Sequence, residues 1–495
     1  MRLSTKNHLF GLLVIFLIFC YLLGFISIAM NIRDPLFVLS VPGFLSVFSL
    51  FTFTFLLIFV RMNQKYFYFF LPFVLVSFPN IINDLFPSFY VGPLLKESKV
   101  AFSIFTHIDI FLIWGLISFQ KSNQNDIPNR IIIYLLATIY CLIVFFISTV
   151  ITTKSSIYLS LFSIGSYQIR YLLLFLLYFL KYKIGKNEIT YIIFGTIFSV
   201  LFLLLESVVY SAVYQTNNLY SGNLAANVFA NFMAAICIFF LFLDKTLFSL
   251  NKTYFKILRF STVIISVTIV VLNGTRMAFL SILIAGVSCY LFKTLRIRKL
   301  TVMVKQLFYY GFIFCMIFIV MIQFERFSSA IDIILNFSSD NFNFNEQTAS
   351  IFTRLHLFAV SLEMFLDNIF IGIAPGRWNF LKYDYGYQTV GTFLAPVLLD
   401  SHNDYLSYIS QYGLFGLIFI FLIFIYPVYR LMKQFNNPYA YFGIISLTFL
   451  ISGFTNSNTL KHQICGFVYL SIIIVLQSYR YPFSFLPKNT ELYDH

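Results

Sequence analysis

Leu399-Asp400-Ser401-His402-Asn403-Asp404-Tyr405-Leu406 stands where a long polar loop runs back into an apolar stretch that continues to about residue 426. That junction decides the fold. A run of roughly 20 apolar residues is what a helix needs to cross the hydrocarbon core of a bilayer, and runs of this length recur along the chain. Of 495 residues, 60% are hydrophobic, 20% aromatic and 11% charged, with a mean hydropathy of +0.86. Soluble domains carry about 25% charged residues. Soluble globular classes are therefore excluded, and an all-α polytopic integral membrane protein is expected.

Fourteen apolar runs read as spanning helices, near 10–30, 36–60, 66–83, 100–119, 131–151, 157–180, 189–212, 224–243, 257–273, 276–292, 306–323, 404–426, 439–455 and 462–478. The expected number of spans is about 14, within 12–14. The first run is too long for a signal-peptide core and lacks a small-residue cleavage site, so it reads as a membrane anchor. Cys20, Cys141, Cys237, Cys289, Cys315 and Cys465 all fall in or beside apolar runs and read as small core residues, with no disulfide or metal spacing. With the N-terminus inside, 22 of the 33 Lys and Arg fall on inner segments, as the positive-inside rule requires. Both termini are then cytoplasmic. The formal net charge of +14 is mostly this topogenic signal together with attraction to anionic lipid heads, and a nucleic-acid partner is not implied.

Three segments follow: a bundle of about 11 spans over 1–323, a large outer loop with short helices over 324–403, and about 3 spans with a cytoplasmic tail over 404–495. Within the loop, Ile351 to Asn368 mixes Arg354, His356, Glu363 and Asp367 with Leu, Phe and Val, the pattern of an interfacial helix. Gly372-Ile373-Ala374-Pro375-Gly376-Arg377-Trp378 then forces a turn that presents Arg377 beside Trp378. Phe342, Phe344, Trp378, Tyr383, Tyr385 and Tyr387 read as stacking surfaces or as anchors at the interface.

Ionisable residues at membrane depth are costly unless paired or wet. Arg170 follows Ser163, Gly165, Ser166 and Gln168, which reads either as a wet functional site or as a structural pair with Glu206 on the next helix. Arg276 closes the tight outer turn Asn273-Gly274-Thr275-Arg276, either as a functional cation or as an arginine reaching lipid phosphates. Asp109 and His107 are further buried ionisable groups, read as structural.

His402 at a membrane boundary is by default an interfacial group. Three features favour a chemical role: Asp400 and Asp404 flank it closely enough to orient its ring, Asn403 supplies a helix cap that fixes the turn, and the loop it closes carries arginines suited to phosphate. Asp-x-His-x-Asp is also a metal-ligand pattern, but no second ligand cluster of comparable quality stands on the outer side, so no metal is expected.

The run His402-Asn403-Asp404-Tyr405-Leu406, followed by Gln411-Tyr412-Gly413-Leu414-Phe415-Gly416, resembles the His-Asn-x-x-Leu and Gly-x-x-Gly signature of bacterial O-antigen polymerases and O-antigen ligases. Asn273-Gly274-Thr275-Arg276 resembles the family's small-residue-plus-Arg hairpin, with Gly-Thr-Arg where many relatives have Ser-Arg-Gly. The segment from Arg354 to Gly372-x-x-Pro375-Gly376 resembles the end of its large periplasmic loop; the likeness covers about 270–425. It implies a glycosyltransferase of the bacterial inner membrane acting on an undecaprenyl-diphosphate-linked glycan, with the large loop in the periplasm. Arg276 and Arg170 would clamp the diphosphate, Arg354 and Arg377 would guide substrate, and His402, oriented by Asp400 or Asp404, would accept the proton, with no metal and no cofactor. Expected partners are the lipid-linked glycan, membrane lipids and a chain-length regulator. The length, the apparent span count and the Phe, Ile, Asn and Lys usage favour an O-antigen polymerase. The alternatives are an O-antigen ligase, which passes the polymer to lipid A core, and a transporter or flippase of lipid-linked oligosaccharide. A transporter would spread ionisable residues through the midplane and show repeats.

Overall fold

The computed structural model describes residues 43–62, 64–78, 90–91, 102–103, 106–119, 132–140, 143, 158–182, 184–214, 226–243, 252–294, 304, 308, 346–374, 377–386, 401–435, 437–459 and 462–478. In chain order the helices are α1 (Gly43–Met62), α2 (Gln64–Val76), α3 (His107–Ser118), α4 (Tyr158–Lys181), α5 (Lys186–Tyr214), α6 (Ala226–Phe242), α7 (Lys252–Asn273) and α8 (Arg276–Thr294). They continue as α9 (Glu346–Asp367), α10 (Trp378–Leu381), α11 (Asp404–Tyr412), α12 (Phe415–Ile420), α13 (Tyr426–Lys433), α14 (Gly443–Ser452) and α15 (His462–Gln477). The architecture is all-helical, as expected, with one antiparallel pair of two-residue strands, Tyr90–Val91 and Phe102–Ser103, beside the helices. Two residues are too few to show a period in the sequence. The expected run near 10–30 lies outside the described residues, the run near 306–323 is described at 308 alone, and the run near 131–151 at 132–140 and 143 alone.

Four helical stretches are long and apolar enough to cross a membrane: Lys186–Val208, Thr253–Asn273, Arg276–Lys293 and Phe415–Lys433. On α7, Tyr254, Ile257, Phe260, Ile264, Val267 and Val271 recur at helical spacing and are exposed. A large apolar stripe turned outward is a liability in water and suits contact with lipid. Inside, one continuous apolar cluster runs from α1 to α15. Phe67 is central to it, stacked on Phe111 at 4.9 Å and on Tyr178 at 5.0 Å between centroids. A β-carbon on Gly195 would overlap the carbonyl oxygen of Phe69, so glycine is what lets α2 and α5 approach so closely.

The apolar run expected as one helix over 404–426 is two pieces. α11 ends at Tyr412, Gly413 takes φ 61° and ψ −142°, and α12 then runs through a π-helical turn, Phe421–Ile425, into α13. Apolarity alone does not register such a break, because it depends on one backbone conformation that only glycine adopts without strain. The tight pair at 273–276 is a true hairpin: Gly274, at φ 58°, donates its N–H to Val271 O at 3.0 Å and ends α7.

Candidate functional site

The site begins with the cap of α11. Asn403 has extended backbone, and its Oδ1 accepts the N–H of Leu406 at 2.9 Å, the capping expected from the sequence. Its Nδ2 donates to Phe454 O at 2.9 Å. Immediately before it, His402 is held at φ 53°, a left-handed conformation uncommon outside glycine. The surroundings over-determine that turn. Ser401 Oγ donates to Asn403 O at 2.9 Å and lies 2.7 Å from Ser407 Oγ, while Asp404 N donates to Gly453 O at 2.9 Å. Ser401 and Asp404 are fully buried and His402 is half-buried. Strain of this kind persists only where the surrounding structure imposes it, and functional sites are where it collects.

Asp404 reaches the connection between α14 and α15: its Oδ1 accepts Thr459 Oγ1 at 2.8 Å and Thr459 N at 3.1 Å. Next in that connection, Asn458 accepts Asn231 Nδ2 at 3.0 Å on Oδ1, and its own Nδ2 donates to Ser452 Oγ at 2.9 Å. Asn231 lies one helical turn from Asn227 on α6. Asn227 Oδ1 is 3.3 Å from Thr275 Oγ1, and Asn273 Nδ2 donates to Ala226 O at 3.2 Å. A hydrogen-bonded layer of amides and hydroxyls thus joins the Arg276 hairpin to the His402 turn through α6 and the 453–459 connection. In an apolar bundle, each of these polar groups would be costly if left unmade.

A second, smaller core of Leu357, Val360, Met364, Ile373 and Trp378 holds α9, α10 and the turn between them as one block. The block is fastened to α11: Ile373 N donates to Ser410 O at 2.9 Å and Leu414 N to Ile369 O at 2.7 Å. Gly372 and Gly413 both have positive φ and stand where any side chain would strike the facing backbone at about 2.5 Å. The Gly-x-x-Gly pair thereby acquires a physical reason, since Gly416 likewise abuts the Tyr408 carbonyl. α9 is not among the stretches long and apolar enough to cross a membrane. Arg354 is half-buried on α9, with no carboxylate partner among the described residues, and burial lowers its guanidinium from the ordinary value. Burial also lowers Arg377, which faces Tyr385 and Asp384, and raises the Tyr385 hydroxyl, which accepts Asn368 Nδ2 at 3.3 Å.

The carboxylate that the structure gives Arg170 is Asp109, in a two-pronged pair with Nε–Oδ1 2.6 Å and Nη2–Oδ2 2.8 Å. Asp109 also caps α3 together with Thr106, and His107 lies against Val74 O at 3.0 Å. Trp378, expected as a stacking or anchoring ring, is instead fully buried and donates Nε1–H to Ser361 Oγ at 2.8 Å. Packing α10 onto α9 needs a large apolar group there, and the serine satisfies its one donor. Tyr383 remains exposed. Asp400, Pro375, Gly376, Phe342, Phe344 and Tyr387 lie outside the described residues, as do the side chains of Ser163, Ser166 and Gln168. The structure therefore ties the turn that bears Arg276 to the first turn of α6, ties α6 one turn further on to the connection that grips Asp404 beside His402, fastens the block bearing Arg354 and Arg377 to α11, and pairs Arg170 with Asp109. Asn231, Asn458 and Thr459 were not singled out in the sequence. Their signal was the polar run Thr455-Asn456-Ser457-Asn458-Thr459 between two apolar helices, and two asparagines in the first turns of an apolar α6.

Fold and site together define a helical membrane protein that ties an arginine hairpin and a strained histidine turn into one polar layer. Residues 261–421, about a third of the chain, match the family model described as O-antigen ligase (Wzy_C), so this stretch is similar to that family. The matched stretch contains Arg276, Arg354, Arg377 and His402. Among curated proteins, none matches the chain.

Proposed function

We propose that the protein is an O-antigen or related surface-polysaccharide polymerase. It transfers a growing undecaprenyl-diphosphate-linked glycan to the next lipid-linked repeat unit at the periplasmic face of the bacterial inner membrane, with both termini in the cytoplasm and the 324–403 loop in the periplasm. The observation that carries this reading is the hydrogen-bonded layer between the Arg276 hairpin and the His402 turn, because transfer from a lipid diphosphate needs a cation and a base in fixed relation.

The acceptor hydroxyl oxygen attacks the anomeric carbon of the donor. A new glycosidic bond forms, the bond to the diphosphate breaks, and its electron pair leaves with the lipid diphosphate. His402 takes the hydroxyl proton, a role that suits a group titrating near neutral pH in model compounds. Arg276 and Arg354 offset the charge that develops on the leaving group, and Arg377 guides substrate to them. Arg170, committed to Asp109, supports the clamp through packing. Asp404, gripped by Thr459, keeps the turn in place, and Asp400 shares the orienting role. Guanidinium groups suffice in this scheme to hold the diphosphate, without a metal or cofactor. A chain-length regulator is the partner expected of a polymerase.

The ligase description of the family model favours a second reading, transfer of finished polymer to lipid A core by the same residues. Deletion and complementation with lipopolysaccharide gels separates the two. Loss of the ladder with single-repeat, core-linked material retained identifies a polymerase; loss of all core-linked polymer identifies a ligase. Repeat units stranded on the cytoplasmic face would refute both. Arg276→Lys removes bidentate phosphate contact, so undiminished turnover would argue against the clamp.

A further inference from the structure

The cleft between α9 and the turn after α10 shares only Arg377, the substrate-guiding arginine, with the chemistry above. Its volume is about 780 Å³, within the roughly 300–1,000 Å³ typical of small-ligand sites. Its walls are preorganised by buried Trp378 beneath and by the Asn368–Tyr385 bond at one side. It is also anchored near the transfer site. Ile373, in its lining, bonds to Ser410, six residues or about 9 Å along α11 from Asp404.

The lining combines Glu363 and Asp367, one turn apart on α9, with Asp384, Asn368, Arg377 and Tyr385. Three carboxylates outnumber the Arg377 guanidinium and the His356 imidazole, so away from Arg377 the cleft is electronegative and repels phosphate and uronate groups. Carboxylates and an amide accept hydrogen bonds from neighbouring hydroxyls or from an ammonium, and a tyrosine ring offers an apolar face to the C–H side of a sugar. We infer that this cleft binds an uncharged or amino-bearing pyranose of the acceptor glycan and turns acidic sugars away. That the sugar belongs to the acceptor rests on the transfer reading above; that the cleft binds such a sugar does not.

The test uses full-length protein in lipid nanodiscs and saturation-transfer NMR with glucosamine, N-acetylglucosamine and glucuronic acid as probes. The first two should give signals and glucuronic acid none. Glu363 and Asp367 are exposed, so the Glu363→Gln/Asp367→Asn variant keeps its fold, and its apparent affinity for glucosamine should fall about 10-fold or more. Asp384→Asn, also exposed, should weaken binding in the same sense. Equal binding of glucuronic acid, or undiminished affinity in the double variant, would overturn the inference. His402→Ala separates the two proposals by stopping turnover while leaving sugar binding intact. Retained turnover in that variant would sink the transfer chemistry alone, and normal sugar binding by the double variant would sink the cleft alone.

Discussion

Two regions of the molecule bury polar side chains by opposite means. Between α3 and α4 the polar chemistry is a closed, charged cluster. Arg170 and Asp109 neutralise each other, Asp109 accepts from the Thr106 N–H at 2.9 Å, and Thr106 Oγ1 meets the Tyr171 hydroxyl at 2.5 Å, among aromatic rings. Around α6, α11 and the 453–459 connection the bonds run mainly between neutral amides and hydroxyls, Asp404 being the acid among them, and they extend across several elements. A full charge in an apolar bundle has to be balanced on the spot. A neutral network can be spread out, and here it holds one histidine in a strained conformation. The first arrangement fixes packing, whereas the second fixes the geometry of a reacting group.

That contrast can be broken at either side. The largest effect on stability is expected from Asp109→Ala, which leaves the Arg170 charge without its carboxylate and should cost about 3–5 kcal/mol, seen as a sharply lower melting temperature of the detergent-solubilised protein. Arg170→Met added to it should restore much of the loss. Gly413→Ala comes next. It forces a side chain into a glycine-only conformation and against the Ile369 and Phe370 carbonyls, at a cost of about 1–3 kcal/mol. Faster proteolysis within 368–386 should accompany it, because the block comes away from α11. Asn458→Ala cuts the layer between α6 and the His402 turn. It leaves a buried Asn231 amide unmade at a cost of about 1–2 kcal/mol, with a fall in glycan transfer larger than the loss of stability alone accounts for. If Asn458→Ala leaves transfer untouched, the two ends of the layer act independently.

The sequence made part of this legible. Spanning helices follow from apolar length, the α11 cap from Asn403, and the α7–α8 hairpin from Asn273-Gly274. What stayed hidden depends on long-range contact. Arg170 and Asp109 are 61 positions apart and Asn231 and Asn458 are 227 apart, and no periodicity connects them. Trp378 read as an exposed ring because the small core that receives it draws on residues on both sides of a turn. The break at Gly413 hid inside what reads as one run over 404–426, although its first half, Asp404–Tyr412, is much more polar than the stretch from Phe415 onward.

His402→Gly tests the central claim most directly, since glycine adopts the left-handed turn freely and removes only the imidazole. Transfer measured in proteoliposomes with a lipid-diphosphate-linked donor should fall by about 100-fold or more, while the melting temperature stays within a degree or two of the parent, about 0.5 kcal/mol. Parent-like transfer by this variant would contradict the assignment of His402 as the proton acceptor and, with it, the reading of the polar layer as the frame of a glycosyl-transfer site.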